Sequence, residues 1–143
     1  MEREKILKAI KVIAKRLQNT DTRWVFRAST SLFIHGIELI PNDIDLVAHP
    51  DDYDQVVNAL NEFIVAPKQP HGDTFKTGFN INDVECELFG TNNFQQVVPV
   101  EFEGLPLPVY TLEAEYEYYK SRTDKPEKNA IKIKLIEEKL GIK

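Results

Sequence analysis

Trp24-Val25-Phe26-Arg27-Ala28-Ser29-Thr30-Ser31, running on through Gly36 to Asn42-Asp43-Ile44-Asp45-Leu46-Val47, is the stretch on which the reading of this chain turns. The aromatic and β-branched run predicts a strand over 23–28, and the hydroxyl-rich turn predicts a helix over 30–36. Ser29 or Thr30 is placed to cap that helix by accepting a backbone N–H, and Gly36 to end it. Pro41 lies in the loop before a second strand over 43–48. Side chains alternate across a strand, so Asp43 and Asp45 share one face and Ile44 and Leu46 the other. Two carboxylates held side by side raise each other's pKa, and a divalent cation is the usual compensator. This stretch therefore predicts a metal and nucleotide site.

Working outward, Ile6, Ile10, Ile13 and Leu17 form the single apolar stripe of an amphipathic helix over 2–19. Tyr53, Val56, Val57, Leu60 and Phe63 predict another over about 52–62, and Phe63-Ile64-Val65 a short strand. Pro67, Pro70 and Gly72 read as a turn-rich crossing. Residues 74–79 and 84–89 read as hairpin arms around Asn82-Asp83, two residues that tolerate positive φ. In 90–107, only Gln95–Val98 and Glu101–Glu103 are candidate edge pieces, because Pro99, Pro106 and Pro108 argue against long regular structure. Thr111 caps a helix to about 122. Asp124, with Pro126 and Glu127 behind it, signals the start of a last helix whose buried stripe is Ile133, Ile136 and Leu140. The order α-β-α-β-α-β-β-β-α-α predicts an α+β fold, a mixed and mostly antiparallel sheet with packed helices and a helical carboxyl end. Residues 1–143 are expected to form one domain, with an α/β core over 20–109 and a helix pair over 110–143.

A third acid would turn the Asp-x-Asp pair into a fuller site. In Val84-Glu85-Cys86-Glu87-Leu88 the two glutamates alternate away from the apolar side. If this strand lies beside Asp43 and Asp45, one glutamate completes a three-carboxylate cluster of the kind that two-metal phosphoryl transfer uses. Taken alone, the glutamates read as a solvated strand face. The turn Ala28, Ser29, Thr30 and Ser31 offers hydroxyls and helix N–H groups to triphosphate oxygens; otherwise it is an ordinary helix cap. Lys120, Arg122 and Lys128 are candidate phosphate partners, each singly also readable as solvated surface. Cys86 alternates to the core side, as a buried inert thiol. His35 reads as a helix-end residue, His49 and His71 as loop residues, and the tyrosines 116, 118 and 119 as packing. No Cys and His spacing suits zinc.

The composition narrows the classes. With 143 residues, 42% hydrophobic and 29% charged, the chain matches a globular protein with a core of its own. A net charge of −5 argues against a broad grip on DNA or RNA, though not against one nucleotide. A single cysteine excludes an internal disulfide. No apolar run suits a membrane span or a leader, so a cytoplasmic protein is the expectation.

Trp24–Ser29, Gly36 and Asp43-Ile44-Asp45-Leu46 together resemble the minimal nucleotidyltransferases of the DNA polymerase beta-like superfamily. That family's signature is a strand ending in Gly-Ser or Gly-Gly, a short helix, Asp-x-Asp, and a third acid on a later strand, here Val84–Gly90 with Glu87 in register. Residues 112–120 and the Lys128 helix resemble the carboxyl-terminal helices of small members, so the likeness spans about 20–140. The resemblance implies a nucleotidyltransferase-like fold and transfer of a nucleoside monophosphate from a nucleoside triphosphate such as ATP to an acceptor hydroxyl. It implies Mg2+ or Mn2+ on Asp43, Asp45 and Glu87, with Ser29 and its neighbouring N–H groups on the triphosphate. Relatives use small molecules, tRNA ends or proteins as acceptors, so the acceptor stays open here, a protein partner included. Two departures from the pattern stand out: Ala28 replaces the first glycine, and the third acid is a glutamate. Ala28 and the acidic surface motivate the alternative of a non-catalytic nucleotide-binding or protein-interaction module. A plain structural domain with solvated acids is the remaining reading.

Overall fold

In the computed structural model, which describes residues 2–122 and 124–141, twelve helices and strands and one 3-10 turn run in the order α1 (Glu2–Leu17), β1 (Trp24–Arg27), α2 (Ala28–Ile34), β2 (Ile44–Ala48), α3 (Tyr53–Ala59), the 3-10 turn Asn61–Phe63, β3 (Ile64–His71), β4 (Thr74–Ile81), β5 (Val84–Gly90), β6 (Val97–Phe102), β7 (Leu105–Tyr110), α4 (Leu112–Ser121) and α5 (Pro126–Leu140). The seven strands make one sheet in the order β3-β4-β5-β2-β1-β7-β6. β1–β7 and β2–β5 are parallel and the other four pairs antiparallel, the mixed and mostly antiparallel α+β arrangement that the residue pattern predicts.

One face of the sheet is closed by the stripe of α1. Ile6, Ile10, Ile13 and Leu17 are buried there against Phe26, Ile44, Leu46, Cys86 and Leu88. Burying four such side chains supplies roughly 6–12 kcal/mol before chain entropy is counted. Tyr53 of α3 joins this core, its hydroxyl donating to the Leu88 carbonyl at 2.9 Å and paired with Thr77 Oγ1 at 2.7 Å. On the opposite face, α4 and α5 pack over α2 through Leu32, Tyr119 and Ile136.

Two stretches differ from the sequence expectation. Residues 64–71 form a full edge strand rather than a turn-rich crossing, because an edge has an unpaired side on which Pro67 and Pro70 need donate nothing. Residues 97–110 form a hairpin, turning through Glu103 at φ 52° and Gly104 at φ 80°, and its second arm lies beside β1. The prolines are accommodated by register. Pro99 faces Pro108 and Pro106 faces Glu101, both on one class of rung. The Thr111 N–H to Gln96 carbonyl bond, 2.9 Å, belongs to the other class. Antiparallel rungs alternate between hydrogen-bonded and non-bonded, so within the β6–β7 pair all three prolines occupy rungs where no cross-strand N–H is used.

The first strand is also shorter than expected. Ala28 leaves it at φ 59° and starts α2. Gly36, at φ 92°, closes the far end, with its N–H on Phe33 and that of Ile37 on Leu32, the double bond of a Schellman turn.

Candidate metal and nucleotide site

Register aligns the charges. Arg27 pairs with Asp45, Asp45 with Glu87 and Glu87 with Gly78, and the Phe26–Val109 rung brings Tyr110 alongside Arg27. Tyr110, Arg27, Asp45 and Glu87 thus form one row across four strands spaced about 5 Å apart. Two residues along each strand, Val25, Val47 and Phe89 form a buried apolar row that backs it.

A carboxylate oxygen from each of Asp43, Asp45 and Glu87 comes within 4.8 Å of the other two. All three side chains are half-buried, and three hard oxygen donors in one small space suit Mg2+ or Mn2+ rather than a soft metal. Burial, and then the neighbouring Asp43 carboxylate, push Asp45 up to about 6. Lys76 Nζ stands 3.8 Å from Glu87 Oε2.

The acids open onto a cavity of about 570 Å³ whose other walls include Arg27, Ser29, Arg122, Lys125, Lys128 and Lys132. Lys128 and Lys132, four apart on α5, and Lys125 just before its first turn line the same cavity as the acids. Burial lowers the pKa of Lys132, while Asp45 and Asp43 pull it back up. Tyr119 also lines the cavity, with a buried hydroxyl that has no partner among the described residues.

The residues singled out in the sequence divide. Asp43, Asp45, Glu87, Ala28, Ser29, Arg122 and Lys128 all line this cavity. Thr30 and Ser31 lie beneath it instead, 1% and 0% exposed. Neither Ser29 nor Thr30 caps α2, which begins at Arg27 without a side-chain cap. Thr30 Oγ1 accepts the Asp45 N–H at 3.1 Å and reaches the Asp43 carbonyl at 3.4 Å, and Ser31 Oγ reaches the Tyr110 carbonyl at 3.5 Å. Lys120 is elsewhere, its ammonium over the Tyr116 ring at 4.7 Å. Asp124 is no cap either: Arg122 holds it in a fork, and Lys125 in the left-handed region begins α5. Cys86 is buried, its thiol pushed up to about 12, as an inert core residue should be.

Three participants were not foreseen. Arg27 reads as the polar end of a strand, yet its guanidinium lies over the Phe89 ring at 4.5 Å, and its buried Nε has no partner among the described residues. Lys132 follows Lys128 by four, a spacing visible in the sequence. Glu115 looks like one more acid in an acidic helix. It is 2% exposed, and its Oε2 accepts the Ala28 N–H at 2.9 Å.

The same arrangement of elements recurs in solved structures. A Thermotoga maritima protein assigned as a nucleotidyltransferase superposes with a TM-score of 0.75 at 20% identity, spanning 99% of this chain and 96% of its own. ANT(2″)-Ia, in a complex with adenylyl-2″-tobramycin, gives 0.72 at 13% over 96% and 90%. The lincosamide antibiotic adenylyltransferase LnuA, lincomycin-bound, gives 0.66 at 14% over 94% and 96%. No protein-family model and no curated protein matches the sequence. At these identities the likeness is one of fold: this chain has the minimal nucleotidyltransferase fold. Among the described residues, no helix is long and apolar enough to cross a membrane.

Proposed function

We propose that the protein is a cytoplasmic, magnesium- or manganese-dependent nucleotidyltransferase that moves a nucleoside monophosphate from a nucleoside triphosphate, such as ATP, to an acceptor hydroxyl. The observation that carries this reading is the three-acid cluster facing the cations of α5 across one cavity, in a fold shared with adenylyltransferases. Asp43, Asp45 and Glu87 hold the cation, which when bound supplies charge neutralisation of the phosphates and polarises the reacting oxygens. Lys128, Lys132 and Arg122 take the β- and γ-phosphates and orient the pyrophosphate for departure. The Ser29 hydroxyl donates to a phosphate oxygen. Glu87 takes the acceptor's proton. Residues 20–109 act as the catalytic core and 110–143 as the helix pair that closes it, within one domain.

A second reading, a non-catalytic nucleotide-binding module, has one observation in its favour. The Ala28 methyl stands where the family resemblance has glycine, and its N–H is already taken by Glu115. Calorimetry with Mg2+ and each of the four ribonucleoside triphosphates tests binding; absence of binding by all four defeats the first reading. Transfer of labelled nucleotide that disappears in Asp43→Asn eliminates the second.

A further inference from the structure

A smaller cavity of about 250 Å³ lies at the Arg27 end of the charged row, lined by Arg27, Thr91, Asn93, Tyr110, Glu115 and Tyr118 together with Ala114. It meets the larger cavity at Arg27 and Tyr118, which line both. Its polar groups are unusual in cost. Glu115 is a carboxyl group almost wholly out of water, pushed up to about 7 chiefly by burial, against the opposing pull of the Ala28 N–H, the Ser31 hydroxyl and the Arg27 charge. Arg27 keeps a buried Nε that has no partner among the described residues. A fold retains such groups against the stability gained by apolar replacements when a ligand uses them.

The lining also says what kind of ligand. Arg27 is flanked by Glu115 and by Asp45 of the neighbouring strand, so little net field is left, which disfavours a strongly charged guest. Thr91, Asn93 and Tyr118 add groups that donate and accept, the pattern that hydroxyls match because each both gives and takes a hydrogen bond. The tyrosine rings offer flat apolar walls. The Tyr110 hydroxyl, donating to the Asn93 carbonyl at 2.8 Å, fixes the 91–93 loop as part of the wall. The volume falls below the roughly 300–1,000 Å³ of clefts that hold drug-sized ligands, so a whole nucleotide is too large for it.

We infer that this cavity is the acceptor pocket, and that it takes a neutral polyol of about one sugar ring. The inference rests on the proposed nucleotidyl transfer. A polyol hydroxyl oxygen attacks the α-phosphorus of the triphosphate held in the larger cavity and forms the new P–O bond. The bond from the α-phosphorus to the α–β bridging oxygen breaks, pyrophosphate leaves with that electron pair, and the hydroxyl proton passes to a carboxylate of the acid cluster.

The test uses the full chain, labelled with 15N, titrated with myo-inositol and D-glucose and, as charged probes, glycine and citrate. Expected are saturable shifts of the Thr91, Asn93 and Ala114 amides with at least one polyol, weakened tenfold or more in Asn93→Ala at an unchanged thermal midpoint. Shifts from the charged probes alone, shifts unaltered in Asn93→Ala, or no saturable shift from either polyol overturn the inference. A parallel arm supplies α-32P-labelled triphosphate and Mg2+ and looks for labelled polyol. Polyol binding without such transfer overturns the acceptor role. Magnesium–triphosphate shifts at Asp43, Asp45 and Glu87 with no polyol in the smaller cavity overturn this inference and leave the proposed function standing.

Discussion

Asp45 ionises against two obstacles, its burial and the Asp43 carboxylate, which together lift it from an ordinary 3.8 to about 6. The folded state therefore holds this proton more tightly than the unfolded chain. Without metal, the contribution of Asp45 to stability is fullest below about pH 4 and falls as pH rises through 6, by at most about 3 kcal/mol. Asp45→Asn removes that loss, so the metal-free variant should melt higher than the parent at pH 8 while failing to bind Mn2+ in calorimetry. In the parent, Mn2+ affinity should drop about tenfold for each pH unit below 6, as the proton competes for the ligand. Ala28 poses a different balance. Its left-handed φ costs about 1–2 kcal/mol, which Ala28→Gly relieves. Glycine's extra freedom when unfolded and the lost methyl burial, about 1 kcal/mol each, offset the gain. Ala28→Gly should thus shift the thermal midpoint by only a few degrees and tighten triphosphate binding, whereas an unchanged affinity would show that the methyl group is no obstacle.

At the scale of elements, two buried polar contacts hold α2 in place, one to a strand that carries acids and one to α4. Thr30 joins α2 to β2 through the Asp45 N–H. Thr30→Val leaves that N–H without its partner and should cost about 1–3 kcal/mol. Metal affinity should fall with it, and Thr30→Ser should restore both, read by denaturant titration and calorimetry. Glu115 joins α4 to the start of α2. It lies well above an ordinary 4.5, at about 7, so the folded state loses stability as pH rises from about 4.5 to 7. Glu115→Gln keeps an acceptor for Ala28 and removes the charge. It should therefore melt higher than the parent at pH 8 and equal to it near pH 4.5.

Over the whole molecule the charge is −5, yet Lys128 and Lys132 of α5, with Lys125 just before it, line the same cavity as the acids. The field is local and shaped for one polyphosphate, not for a long backbone. Triphosphate affinity should weaken with added salt, and duplex DNA and RNA should go unretained at 150 mM salt, a physiological ionic strength of about 0.15 M, in a mobility-shift assay. Retention there would contradict a site limited to one nucleotide.

Much of this was present in the local pattern. The α1 stripe, the Asn82-Asp83 hairpin turn, the Thr111 cap and the alternation that puts Asp43, Asp45 and Glu87 on outward faces all depend on neighbours within a few residues, and a sequence displays neighbours. What distant pairing creates was not legible. The prolines of 99–108 argue against a strand until the register of β6 with β7 puts them all on rungs of that pair that need no N–H. Arg27 and Glu115 resemble many other charged residues until the fold buries the Arg27 Nε and the whole Glu115 side chain. By itself the sequence determined which acids exist and which way each faces, because strand alternation is a property of the chain. Only the tertiary structure decided that β5 lies parallel to β2 with Glu87 beside Asp45, that α5 turns its lysines toward them, and that a second cavity opens behind Arg27. Those outcomes follow from long-range packing of apolar faces, a contest that no short stretch of residues settles alone.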